Sequence, residues 1–166
     1  MGRYLDIIQD IDPNHYGGHL LRGIYIFLSS RDIESAKKEI KKAKNNRDAA
    51  WLWSSAFLDA YEGKLEEAHK TYQRAFRGLV ADATALQVET FIVDVVNLEP
   101  DKIQLWYCLG MINYLYKEDL PSALEDFQCF CKHAEKANHF TKSVEFAKKY
   151  IKEIETKLKS RDRPPN

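Results

Sequence analysis

Glycine and proline are scarce in this 166-residue chain, at seven and five residues. Alternation of β-branched and polar residues is nearly absent as well, so nothing points to a fold built on strands. There is no net charge, with 25 basic and 25 acidic side chains, and hence no global field drawing the chain to nucleic acid or to an anionic membrane. No run of about 18 apolar residues is present, so no segment reads as a membrane span. "MGRYLDIIQDIDPN" carries one arginine and then acids within its apolar stretch, which does not fit a secretory signal. Asp6 at the hydroxyl position also breaks the myristoylation pattern after Gly2. The cysteines are three, Cys108, Cys129 and Cys131. An odd, late cluster within helical pattern argues against a disulfide framework and for a reducing, cytoplasmic setting.

What is present is helical. Hydrophobic residues make up 45% and charged residues 30%, and apolar positions recur every three or four residues. The pattern predicts helices over 3–10, 16–29, 33–45, 48–62, 65–79, 82–98, 102–117, 121–136 and 139–160. Pro13, Pro100 and Pro121 mark boundaries, and short polar joints such as "SSRD", "EGK" and "KED" favour antiparallel hairpins. The end of the chain, "RDRPPN", reads as a disordered tail over 161–166. From Lys132 onward ten basic residues face five acidic ones, a net of +5, so the rest of the chain carries −5.

Three segments align: "RDIESAKKEIKKAK", "GKLEEAHKTYQRAF" and "EDLPSALEDFQCFC". Each has an alanine (Ala36, Ala68, Ala123) followed four residues later by a large side chain (Ile40, Tyr72, Phe127). Upstream of the third lie Trp106, Leu109 and Gly110. Small residues on both helices let the backbones approach, and large ones fill the gaps. "IDPN" and "LEPD" have the look of joints between repeats.

This pattern resembles the tetratricopeptide repeat (TPR) family. The resemblance implies an all-α solenoid of antiparallel helical hairpins forming one domain over 1–160. It would comprise a half-repeat at 1–13, repeats at about 16–48, 49–80 and 103–136, an irregular helix at 82–98 and a C-terminal capping helix at 139–160. The alanine spacing departs from regularity, at 32 and then 55 residues, where two regular repeats would span about 68. Either Glu66–Asn97 is one long, bent helix, the preferred reading, or the stack is interrupted there.

Candidate chemistry is thin. His15 and His19, four apart, share a helix face, but no third metal ligand lies near. Cys129 and Cys131, two apart, point about 200° apart on a helix, which leaves only Cys129 with His133. No phosphate loop, nucleophile elbow, zinc-protease or calcium-loop motif occurs. The expectation is a protein with no catalytic residues, no metal and no cofactor.

In TPR stacks the first helix of each hairpin lines a concave groove that takes peptides or helices. The corresponding positions here are Leu21, Tyr25 and Leu28, then Trp53, Phe57 and Tyr61, then Tyr107, Met111 and Tyr114. Aromatic and Met surfaces suit interface hot spots. The resemblance thus implies a scaffold for a protein or peptide partner. Two other fates of the strip stay open. The C-terminal helix or the 82–98 segment fills the groove from within, or the strip is a self-association face of a homo-oligomer. A clamp for acidic C-terminal tails is not expected, because Leu21, Tyr25, Ser54, Gln104 and Cys108 stand where that subtype carries cations and amides. A nucleic-acid reading would use the basic faces of helices 33–45 and 139–160. The interleaved Glu145, Glu153 and Glu155 weaken it.

Overall fold

The computed structural model describes residues 2–43, 49–75, 82–137 and 139–161. Among these residues the chain forms nine α-helices and no strand. They are α1 (Gly2–Ile11), α2 (Tyr16–Ser30), α3 (Ile33–Lys42), α4 (Ala49–Tyr61), α5 (Leu65–Ala75), α6 (Asp82–Leu98), α7 (Gln104–Ile112), α8 (Leu120–Ala137) and α9 (Thr141–Arg161). The predicted helix over 102–117 divides, because α7 runs directly into a π-helical turn at Asn113–Lys117. The junction that would make Glu66–Asn97 one helix or two, residues 76–81, lies outside the described residues, as does the predicted tail beyond Arg161.

Local chemistry sets the boundaries. Asp32 caps α3 by accepting from the Ser35 N–H at 3.0 Å, and Asp119 caps α8 by accepting from the Ser122 N–H at 3.2 Å. His15 does the same for α2, its Nδ1 accepting from the Gly18 N–H at 2.9 Å. At the end of α4, Gly63 takes φ 87°. The Lys64 N–H donates back to Asp59 O and the Gly63 N–H to Ala60 O, each at 2.8 Å. That is a Schellman stop, which favours a residue without a Cβ.

The helices pack as antiparallel pairs, α2 with α3, α4 with α5, α7 with α8 and α8 with α9. The small and large residues of the aligned segments account for the close approach. Ala36, Ala68 and Ala123 are wholly buried, and so are Tyr72 and Phe127. A Cβ on Gly110 would lie 2.7 Å from the Phe127 ring, and one on Gly23 would lie 3.0 Å from the Ala36 carbonyl oxygen. Glycine at these two points lets α7 meet α8 and α2 meet α3.

Two helices go beyond simple pairing. α6 packs on both α4 and α7, and α9 reaches past α8 to α5. α7 is therefore enclosed: of its nine residues, only Trp106 is not fully buried. This packing corrects the placing of Trp53 on an open groove. Trp53 has no exposed surface, and Trp106 packs against the core as a partly buried side chain.

Candidate partner-binding cleft

The nine predicted groove residues do not share one open surface. Leu21, Tyr25 and Leu28 on α2 are 50%, 37% and 44% exposed. Trp53, Phe57 and Tyr61 on α4 are buried, as are Tyr107 and Met111 on α7, while Tyr114 is half-buried. The cause differs by region.

On α4 the cover is α6 and the π turn. The Phe91 ring stands edge-on to Phe57 at 4.8 Å, and Tyr116 stands edge-on to Trp53 at 5.4 Å. In the third hairpin α8 and α9 do the covering. Tyr107 lies against Phe127 and Phe130, and its hydroxyl bonds His69 Nδ1 at 2.6 Å. The Phe146 ring of α9 stacks flat on His69 at 4.4 Å. Burial lowers the His69 pKa, with Lys70 adding to it. Tyr114 meets Tyr150 and donates to Glu153 at 3.0 Å. Offset and edge-to-face rings of this kind add to the stabilisation from area burial alone.

One part stays open. Between α2, α4 and α6 lies an apolar cleft of about 240 Å³, lined by Leu20, Leu21, Ile24, Phe27, Ile40, Ala50, Ser54, Phe57, Leu58, Val88 and Phe91. Ser54 is its single polar side chain. Leu21 belongs both to this lining and to the exposed stripe, which continues along α2 through Tyr25 and Leu28 at helical spacing. α6 was expected as a possible filler, and here it forms one wall. Val88 and Phe91, which no motif in the sequence singles out, are therefore the cleft residues that sequence reasoning missed; an apolar pair three apart on a helix is their only signal.

Beyond the cleft, a polar lock ties α2 to the α6–α7 joint. Arg31, left-handed at φ 56°, donates from Nε to Glu99 at 2.7 Å and from Nη1 to the carbonyls of Phe27 and Leu28. The Tyr61 hydroxyl also donates to Glu99. Burial and the adjacent carboxylate push the Tyr61 pKa up to about 12. Burial opposes ionisation of Glu99, but Tyr61, Arg31 and Lys102 outweigh it and hold its pKa below the usual range.

The remaining candidates are dispersed. His15 serves as a cap, and His19 is buried with Nδ1 2.7 Å from Glu39 Oε1. Cys131 is buried, Cys129 half-buried and His133 exposed. Among the described residues no three His, Cys, Asp or Glu side chains are grouped to hold a metal. Gln104 and Cys108 face inward: Gln104 Nε2 donates to Tyr61 O at 3.2 Å, and burial pushes the Cys108 thiol up to about 12. Several lysines of the two basic helices are held in ion pairs. Lys37 meets Asp59 and Glu62, Lys42 meets Glu39, Lys142 meets Glu66, and Lys148 meets Glu135. No helix among the described residues is long and apolar enough to cross a membrane. Searches against family models, curated proteins and solved structures found no match to this chain.

Proposed function

We propose that the chain is a non-catalytic scaffold of TPR-like helical hairpins, and that it takes an apolar helix or extended segment of a protein partner in the cleft between α2, α4 and α6. The observation that carries this reading is the cleft itself: an almost wholly apolar hollow of about 240 Å³ that runs out onto the exposed Leu21–Tyr25–Leu28 stripe. A hollow of this kind accepts a large apolar anchor, while the stripe supplies the contacts around it. The TPR-like reading is supported by the buried alanines, by Gly110 against Phe127, and by the antiparallel pairing of successive helices. The nucleic-acid alternative is less well supported, since several of its lysines already face carboxylates within the chain.

The test is affinity capture with wild type and Leu21→Arg, followed by titration of the captured partner. Leu21→Arg should weaken binding by about tenfold or more and leave the melting temperature nearly unchanged. Binding should fall only shallowly with added salt; a steep fall would favour phosphate contacts. Equal capture by both proteins would remove the cleft from the interface.

A further inference from the structure

α1 presents a second apolar face, apart from the cleft. Leu5 is buried and Ile8 packs close to Gly18, so that side of α1 lies on α2. Tyr4, Ile7 and Ile11 form a different stripe, 75%, 46% and 79% exposed. Large side chains so exposed, in a row at spacing three and four, form a helix face that lacks its cover.

The charges beside this stripe are self-complementary. Arg3 and Asp10 are seven residues apart, so they fall within about 20° of each other around the helix, on one flank of the stripe. When two copies of a helix pack face to face and antiparallel, a two-fold axis relates them, and each flank meets the same flank of the other copy. Arg3 then faces Asp10 of the second copy, and Asp10 faces its Arg3. The register that achieves this puts the two-fold between positions 6 and 7. It also brings the two Ile7 side chains together and drops Tyr4 between Ile7 and Ile11 of the second copy. A parallel two-fold would put the Arg3–Asp10 flanks of the two copies on opposite sides of the contact, so these pairs would not form. Asp6 takes no part, since it is paired with Arg22 of α2.

We infer that α1 is a homodimerisation helix, whose Tyr4–Ile7–Ile11 face packs antiparallel on the same face of a second copy, with Arg3–Asp10 pairs fixing the register. The contact is short, so association in the micromolar range is expected.

Sedimentation velocity from about 1 to about 100 µM brackets that range. Wild type should pass from one chain to two. Arg3→Glu and Asp10→Arg should each shift the midpoint up by about tenfold or more, and the double variant should restore it, since the pair is only reversed. In a Cys129→Ser background, Ile7→Cys should form an intermolecular disulfide on mild oxidation, because the two Ile7 positions meet. All these side chains are on the exposed part of α1, and helical circular dichroism checks that each variant is folded. A chain that stays monomeric across the range, a dimer indifferent to the single charge reversals, or an Ile7→Cys protein that fails to cross-link would each overturn the inference. Leu21→Arg should leave the dimer intact, so failure here and failure of the cleft are separable.

Discussion

The N-terminal and C-terminal halves of the molecule use similar apolar residues to opposite ends. Among the described residues, six of the eight large apolar side chains left exposed lie on α1 and α2. In the half built from α7, α8 and α9, the corresponding side chains are inside: Tyr107, Met111, Phe127 and Phe130 have no exposed surface. The residue types do not explain this, since tyrosine and leucine occur in both. What differs is supply. α7 has neighbours on every side, from α4, α5, α6 and α8, whereas α2 packs along α1 and α3, meets α4 and α6 through Phe27, and leaves Leu21, Tyr25 and Leu28 exposed. The same amphipathic stripe is core where a later helix returns to it and surface where none does.

Trp53→Ala breaks this comparison most severely. The ring is wholly buried against Tyr116, and its loss should cost about 3–5 kcal/mol of stability by urea unfolding. Trp106→Ala should cost clearly less, because that ring is only partly buried. Equal losses would mean that Trp106 is as enclosed as Trp53, against its partial exposure.

Gly110→Ala tests the close approach of α7 and α8 in the C-terminal half. The new methyl would lie 2.7 Å from the Phe127 ring, and overpacking of this kind costs about 1–3 kcal/mol. Gly110→Ala combined with Phe127→Leu should lose less than the two single changes added together.

Asp126 sharpens the comparison from the other direction, since enclosure also traps a carboxylate. Burial pushes its pKa up to about 6, from an ordinary 3.8; Glu89, Glu125 and Asp119 add to the rise, and the Asn113 amide, 2.8 Å away, opposes it. A folded-state pKa above the unfolded value means that the folded chain holds the extra proton between about pH 4 and 6. Stability from this group is therefore present below that window and falls as pH rises through it. Asp126→Asn should raise stability by about 1–2 kcal/mol near pH 7.5 and have little effect near pH 4. The new amide also offers a donor to the Asn113 side-chain oxygen, which has none among the described residues. Urea unfolding at the two pH values measures the difference, and an equal effect at both would show that the carboxylate is not the cause.

The smallest effect belongs to the open face. Tyr25→Ala, at 37% exposure, should change the unfolding free energy by less than about 0.5 kcal/mol. A loss of 2 kcal/mol or more would place Tyr25 in the core and close the contrast between the halves.

Much of the helical framework was readable without coordinates. Proline, the polar joints and the three- and four-residue spacing placed the helices, because caps and periodicity are local properties of the chain. Asp32 and Asp119 open their helices and Gly63 closes α4, each through bonds to residues within about five positions. The alanines and their large partners were legible for a similar reason: one hairpin brings them together, and short joints leave it little choice of partner. The π turn at Asn113–Lys117 was not legible, although it aims Tyr114 at α9 and Tyr116 at Trp53.

By itself, the sequence determined that this is an all-helical chain in which successive helices pair, and it named the strip of aromatic and aliphatic residues from which any binding face must come. Only the tertiary structure decided which members of that strip meet water. Trp53 and Leu21 follow the same pattern in sequence. One is covered by Tyr116, 63 residues further along the chain, and the other rims an open cleft. Burial at such positions depends on where distant helices return, and the amphipathic period of a single helix shows that a face needs a cover without showing what arrives to provide it.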